Sequence, residues 1–262
     1  MVQNVTQRSW PLLLCWWLCI PALPVMVLQA KGLRKRVPRL PEAAGSRSGE
    51  SQGDFGDDTF RVAIVGESTA VGVGADTQDE ALPGHLARAL ASRMKRTVRW
   101  HVLGGNGMTV KRVVSEVRHA HEERYDAAVV LLGVNDVFRL TSVKAWLASL
   151  RLLAESLTER GCQVIVFSSV PPVGRFPALP QPLRAILGLR ASLLDQYLER
   201  LTRELPRAAF CRVRFPTGAA NVATDGVHPS SDGYCDWAQQ LAVTIEAGTS
   251  ETRSHDKVRR VS

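Results

Sequence analysis

The chain has 262 residues, of which 45% are hydrophobic and 22% charged, so it can bury a core and form one or two domains. Its formal charge of +8 does not indicate nucleic-acid binding, because residues 51–248 carry 22 Lys and Arg against 21 acids and no basic stripe with interleaved aromatic residues. The five cysteines show no CxxC spacing, so neither a disulfide framework nor a metal site is predicted.

The N-terminal region contains one long uncharged stretch, residues 10–28, which is about the minimum length that crosses a hydrocarbon core as a helix. Only Arg8 precedes this stretch, whereas five basic residues follow it: Lys31, Arg34, Lys35, Arg36 and Arg39. The positive-inside rule then predicts a membrane anchor with the body of the chain in the cytoplasm. The alternatives are a signal peptide cleaved near Ala30, which would export the domain, and a buried helix of the domain.

Composition divides the chain into four regions. Residues 1–30 form the predicted anchor or signal segment, and residues 31–58 are first basic and then rich in Pro, Gly and Ser, as in a flexible linker. Residues 59–248 carry regular apolar patterns and are predicted to form the folded domain. Residues 249–262 are mostly polar and are predicted to be a disordered tail.

Strand-like and helix-like patterns alternate along the predicted domain. Short apolar runs, most of them unbroken, predict five strands, at residues 62–65, 98–103, 127–132, 164–167 and 208–213. Apolar residues at helical spacing predict five helices, at residues 80–94, 110–120, 143–159, 183–205 and 232–247. This alternation predicts an α/β fold of three layers, with helices on both faces of a five-stranded, mainly parallel sheet.

Polar residues follow several of these strands. Ser68 comes after the first strand, Gly107 after the second, Asn135 after the third, and the loop 225–228 after the fifth. Because the carboxyl ends of parallel strands lie at one edge of the sheet, these residues can converge there. Ser68 by itself is weak support for a site, since a serine at such a position often caps a helix.

The loop Asp225-Gly-Val-His228 contains the two groups that a nucleophilic serine needs. A serine hydroxyl is a poor nucleophile until a base removes its proton, and histidine, which titrates near pH 6.5, is the usual base. A carboxylate three residues earlier can orient the imidazole. The alternative for His228 is an ordinary loop histidine.

Asn135 and Gly107 can supply hydrogen-bond donors to a developing oxyanion. The Asn135 side-chain amide and the backbone N–H groups of Gly107 and Ser68 are the predicted donors. At Gly107 a side chain is expected to obstruct the substrate. The alternatives are an ordinary Asx turn at Asn135 and a simple turn glycine at Gly107.

Four blocks of the sequence together resemble the SGNH (GDSL-type) hydrolases. They occur in the family's order and rough spacing between residues 60 and 247, and they read Val-Gly-Glu-Ser68, Gly-Gly-Asn-Gly107-Met-Thr, Gly-Val-Asn135-Asp and Asp225-Gly-Val-His228-Pro. The resemblance implies a flavodoxin-like α/β/α fold, Ser68 as nucleophile, His228 as base, Asp225 as its orienting carboxylate, and an oxyanion hole of Ser68, Gly107 and Asn135. Two residues depart from the family's usual pattern, Glu67 in place of Asp and Thr69 in place of Leu, which puts the loop geometry in question.

The resemblance predicts an ester hydrolase that needs neither a metal nor an organic cofactor. Its substrate would be a small-molecule or lipid ester, and Phe176 and Leu179, in the proline-rich stretch 171–188, are candidates for an apolar wall along the acyl chain. These two residues can equally well pack the next helix. Thioesterase, lysophospholipase and carbohydrate O-deacetylase activities are alternatives on the same site, and a catalytically silent binding module is the alternative outside the enzymes.

Overall fold

The computed structural model describes residues 23–36, 38–51, 58–120, 124–215 and 219–259. A six-stranded sheet lies at its centre and consists of β1 (Ser48–Ser51), β2 (Thr59–Gly66), β3 (Thr97–Gly104), β4 (Ala127–Leu131), β5 (Val164–Ser168) and β6 (Ala208–Cys211). The strand order is β1-β3-β2-β4-β5-β6, and every pair is parallel except β1 with β3. The five parallel strands, numbered along the chain, therefore have the flavodoxin-like order 2-1-3-4-5.

Helices cover both faces of the sheet. They are α1 (Leu23–Arg36), α2 (Leu82–Met94), α3 (Val110–His119), α4 (Val134–Phe138), α5 (Val143–Glu159), α6 (Leu183–Thr202) and α7 (Ser231–Arg259), with 3-10 turns at Val173–Arg175 and Ala219–Asn221. Helices α2 and α7 pack on one face, and α3, α5 and α6 pack on the other. The predicted three-layer α/β fold is confirmed.

Strand β2 shows why the central strands are apolar without a break. Val62 and Ile64 point into the layer that contains α2 and α7, whereas Ala63 and Val65 point into the layer that contains α3, α5 and α6. All four are fully buried. A strand covered on both faces has no polar side, so its sequence is a continuous apolar run.

The sheet has one strand more than the five predicted. The additional strand, β1, pairs antiparallel with β3 and lies within residues 31–58, which were predicted to be a linker. Its sequence, Ser-Gly-Glu-Ser, has no alternation of apolar and polar residues and therefore does not predict a strand. Backbone pairing places it, and Gly49 permits it to lie against the Trp100 ring, because an added Cβ would be 2.5 Å from that ring.

The structure describes little of the predicted N-terminal segment but most of the predicted C-terminal tail. Most of the predicted anchor or signal segment, residues 10–28, lies outside the described residues, which begin at Leu23. Within the described ranges, no helix has both the length and the apolar character needed to cross a membrane. At the other end, α7 continues to Arg259, beyond the predicted helix end at residue 247 and into the range predicted to be a tail.

Candidate active site

Ser68 lies on a tight turn immediately after β2. Glu67 O accepts a hydrogen bond from Ala70 N at 2.9 Å, and Ser68 O accepts one from Val73 N at 3.0 Å. The next helix, α2, begins only at Leu82, so Ser68 does not cap a helix and the capping alternative is excluded. The turn is possible because residue 66 is glycine, since a Cβ there would be 2.4 Å from Leu131 O on the neighbouring strand.

The side chains of Ser68, His228 and Asp225 form one continuous hydrogen-bonded chain. His228 Nε2 lies 2.8 Å from Ser68 Oγ, and His228 Nδ1 lies 2.6 Å from Asp225 Oδ2. The other carboxylate oxygen of Asp225 accepts hydrogen bonds from the backbone N–H groups of Val227 at 2.9 Å and His228 at 3.0 Å. The three residues predicted to act together are therefore brought together, although 160 positions separate Ser68 from His228.

Asp225 is held as a carboxylate by its surroundings. Burial by itself raises the pKa of Asp225, but the hydrogen bonds from the His228 side chain and from the two backbone N–H groups outweigh burial, and the pKa lies below its ordinary value. A carboxylate bound to Nδ1 leaves the proton on that nitrogen and the lone pair of Nε2 directed at Ser68 Oγ. This is the tautomer that can accept a proton from the serine.

Two residues that the sequence did not single out hold the serine turn against the histidine loop. Gly74 has a φ of +104°, and a Cβ there would be 2.4 Å from Pro229 O, so only glycine permits this approach. The hydroxyl of Tyr234, which is fully buried at the start of α7, donates to Val73 O at 2.7 Å. Both contacts join segments that are remote in sequence, and no local pattern could have revealed them.

Asn135 lies in the first turn of α4, directly after β4. Its side-chain Nδ2 donates one hydrogen bond to Met108 O at 3.1 Å, which fixes the plane of the amide and leaves a second N–H to donate. The backbone N–H groups of Ser68 and Gly107 have no acceptor among the described residues. These three groups are the donors that the sequence predicted for an oxyanion.

Gly107 has a backbone conformation that favours glycine. A Cβ at this position would have no heavy atom within 4 Å, so a side chain would not collide with the protein. The backbone φ of +76° is instead what favours glycine, because side chains disfavour this left-handed region. The conformation turns the chain between β3 and α3.

Glu67 ties the serine turn to the helix that carries Asn135. Its two carboxylate oxygens accept hydrogen bonds from the backbone N–H groups of Val134 and Asn135, each at 2.8 Å. The side chain is only 2% exposed, and burial raises the pKa of Glu67 to about 7 even though these hydrogen bonds act to lower it. The departure from the family's usual Asp thus coincides with a direct link between nucleophile and predicted oxyanion donor.

Asp136, the residue after Asn135, connects the same helix to α3. It is fully buried, and its Oδ2 accepts a hydrogen bond from Val110 N at 2.9 Å at the beginning of α3. Burial raises the pKa of Asp136 above its ordinary value, and hydrogen bonds and nearby arginines oppose that shift. Two carboxylates therefore fix the segment that contains Asn135. Glu67 binds the backbone N–H groups of Val134 and Asn135, and Asp136 binds that of Val110.

A cavity of about 290 Å³ opens beside Ser68 and His228. Its lining is mainly apolar and includes the side chains of Pro171, Phe176, Phe215, Val222, Val227 and Trp237. Phe176 is therefore where the sequence predicted it, along the site. Leu179 is not part of the lining, because it is only 2% exposed and packs in the core between the sheet and the α3, α5 and α6 layer.

Phe215 and Trp237 are lining residues that sequence reasoning missed. Their rings pack edge to face with centroids 4.9 Å apart, and Trp237 Nε1 donates to Ser168 Oγ at 2.9 Å. Phe215 follows β6 and Trp237 lies on α7, on either side of the catalytic loop in sequence. An aromatic residue in a helical pattern, such as Trp237, gives no sign that its ring lines a cavity as well as packing in the core.

In the described ranges, no group of three or more His, Cys, Asp or Glu side chains is placed to hold a metal ion. Cys162, Cys211 and Cys235 are free thiols, and burial raises the pKa of Cys162 to about 12, so this thiol stays protonated at neutral pH.

The chain is similar to several known proteins. The pattern of the GDSL-like lipase/acylhydrolase family matches residues 64–235. The GDSL-like esterase Rv1075c of Mycobacterium tuberculosis is 35% identical over 130 residues, which are 48% of this chain and 41% of that protein. The chain thus spans about two fifths of the length of this relative.

Solved structures with the same fold include two enzymes of low sequence identity. A lipase from a goat rumen metagenome is 15% identical with a TM-score of 0.57, covering 71% of this chain and 97% of that one. An acetylxylan esterase from Geobacillus stearothermophilus is 17% identical with a TM-score of 0.53, covering 71% of this chain and 94% of that one. At these identities the likeness establishes the fold.

Proposed function

We propose, from the premise that the chain belongs to the GDSL-like lipase/acylhydrolase family, that it hydrolyses carboxylic esters through an acyl-enzyme on Ser68. The observation that carries this proposal is the unbroken hydrogen-bonded chain from Asp225 through His228 to Ser68 Oγ. A serine within hydrogen-bonding distance of an oriented imidazole is the arrangement that nucleophilic acyl transfer requires.

The reaction follows from the positions of these atoms. Ser68 Oγ attacks the ester carbonyl while His228 Nε2 takes its proton, and the resulting imidazolium is stabilised by the Asp225 carboxylate. His228 then returns the proton to the departing alcohol, which leaves an acyl group on Ser68. Water, deprotonated by His228, attacks this acyl group, and the acid is released as Ser68 regains its proton.

The charge that develops on the carbonyl oxygen is met by the three donors around it. The Asn135 amide and the N–H groups of Gly107 and Ser68 have no competing acceptor among the described residues, apart from the one Asn135 N–H bound to Met108 O. Donors oriented before the reaction cost no reorganisation when the oxyanion forms, and one such donor is worth about 3 to 4 kcal/mol.

The cavity beside Ser68 supports an apolar acyl group as the part of the substrate held in place. Its apolar lining favours a hydrocarbon chain, and its volume of about 290 Å³ is at the lower end of small-molecule sites. We therefore expect short and medium acyl chains to be preferred over palmitate.

Ester hydrolysis and active-site labelling test the proposed function directly. The full chain is assayed with p-nitrophenyl esters from acetate to palmitate, and a fluorophosphonate probe is applied with its site of attachment found by mass spectrometry. We expect turnover that is greatest below palmitate and labelling at Ser68. If the protein neither turns over any ester nor reacts with the probe, the fold serves as a binding module and the proposal fails.

Phe176 is expected to set the preference for acyl length, because its ring lines the cavity. Phe176→Ala should lower kcat/KM for the octanoate ester about tenfold relative to the acetate ester, since longer chains lose the apolar contact and acetate does not. The ratio of the two kcat/KM values is the measurement. Leu152→Ala, at a surface position of α5 that is 45% exposed, serves as a control. An unchanged ratio in Phe176→Ala would exclude Phe176 from the acyl site.

A further inference from the structure

A second cavity adjoins the cavity beside Ser68 and His228, which we call the acyl cavity. It has a volume of about 610 Å³, and the residues common to both cavities are Pro171, Pro172, Arg175 and Phe215. Several residues of its lining are small, namely Gly174, Ala185, Gly188, Ala191 and Ser192. The two cavities therefore lie next to each other, with Arg175 and Phe215 at their boundary.

Three arginines and a single acid line the second cavity. Arg212 is neutralised, because its guanidinium lies 3.4 Å from Asp195 Oδ2 and 2.5 Å from Glu199 Oε2. Arg175 and Arg214 are exposed, and neither has a carboxylate partner among the described residues. Two uncompensated positive charges therefore face this cavity, and Arg175 faces the acyl cavity as well.

Hydrogen bonds of the backbone fix the chain at both Arg175 and Arg214. Arg175 ends the 3-10 turn after β5, and its N–H donates to Pro172 O at 2.8 Å. Arg214 follows β6, where its N–H donates to Gln240 Oε1 at 2.7 Å and its carbonyl accepts from Gln240 Nε2 at 3.3 Å. Strands β5 and β6 are neighbours and parallel, so both arginines lie at the sheet edge where ligands bind.

We propose that the second cavity binds an anionic group of the substrate, a phosphate or a carboxylate on its alcohol portion, through Arg175 and Arg214. The acyl chain lies in the apolar cavity, the ester carbonyl is at Ser68, and the anion reaches past the shared wall. Guanidinium groups suit this task because their planar donors match the oxygens of phosphate and carboxylate. The inference rests on the proposed esterase function.

A matched pair of esters tests the inference. Monooctanoyl glycerol and monooctanoyl glycerol 3-phosphate differ only in the phosphate, and both are assayed with the wild type, Arg175→Ala, Arg214→Ala and the double variant. We expect Arg214→Ala, whose side chain is outside the acyl cavity, to raise KM about threefold for the phosphate ester and to leave the neutral ester unchanged, and the double variant to raise the ratio of the two KM values about tenfold. The wild-type preference for the phosphate ester should also weaken as salt is added.

Control measurements separate this inference from the proposed function. Arg118→Ala removes an exposed arginine of α3, outside both cavities, and should change neither KM. Hydrolysis of the neutral ester with no arginine-dependent preference for the phosphate ester would overturn the anion site and leave the esterase intact. Failure to hydrolyse either ester would count against the esterase.

Direct titration tests the cavity even without turnover. Glycerol 3-phosphate and glycerate are titrated into the full chain to compare a phosphate with a carboxylate. Binding of either one that is lost in the double variant supports the anion site. The absence of binding by both, or equal binding to the wild type and the double variant, overturns it.

Discussion

Ser68→Ala and His228→Ala are each expected to lower kcat for ester hydrolysis about 10⁶-fold, and the double variant should lose no more than either single variant. The nucleophile and its base act as one unit, because Ser68 Oγ is 2.8 Å from the nitrogen that must take its proton. Once either group is removed, proton transfer from Ser68 to His228 is no longer possible, so removal of the other group has no further effect. The measurement is kcat for the octanoate ester with all three variants.

A control for folding accompanies this result. Ser149→Ala removes a hydroxyl that bonds only within its own helix, to Ala145 O at 3.0 Å, and should keep wild-type kcat. Far-ultraviolet circular dichroism should be the same for every variant, since Ser68→Ala deletes a single atom from a turn held by backbone hydrogen bonds. If the losses in the two single variants multiply in the double variant, Ser68 and His228 act independently and the mechanism is incorrect.

Glu67→Gln is expected to lower kcat about 10²-fold with little change in KM. The carboxylate accepts one backbone N–H at each oxygen, from Val134 and from Asn135. Glutamine has the same shape but one of its two polar atoms is a donor, so one of these N–H groups would face another N–H. The Asn135 amide would then move away from the oxyanion, and small misplacements of this kind cost about 10² in rate.

The pH dependence identifies Glu67 as a positioning residue rather than a structural one. Burial raises the pKa of Glu67 to about 7, so on acidification it gains a proton and becomes a poorer acceptor. The acid limb of log kcat against pH should therefore be steeper in the wild type than in Glu67→Gln, which has no carboxylate at this position to titrate. Equal slopes in the two proteins would contradict this role.

Stability is expected to change with pH in the opposite direction from activity. The pKa of Glu67 is higher in the folded chain than its ordinary value of 4.5, so its contribution to stability is full below about pH 4.5 and is lost as the pH rises through about 7. Urea unfolding between these limits should show this decline in the wild type and a flatter profile in Glu67→Gln.

Glu67→Asp keeps the carboxylate and should retain more activity than Glu67→Gln.

Local features of the sequence determined the layers and the residues of the predicted site. Unbroken apolar runs such as Ala127–Leu131 predicted central strands because a strand covered on both faces must be apolar throughout. Helix α5 was predicted with the bounds that it has, because its apolar period is encoded within consecutive residues. The loop 225–228 was equally readable, because Asp225 and His228 bond to each other across one turn.

The tertiary structure alone decided the contacts that complete the site. The Glu67 carboxylate reaches Asn135 N across 68 positions, the Trp237 ring lines the cavity as well as packing in the core, and Leu179 packs in the core without lining the cavity. Strand β1 exists because β3 offers it an edge, not because its own residues favour a strand. Each of these depends on which segments become neighbours when the layers close, and the periodicity of one segment carries no information about the surface of another.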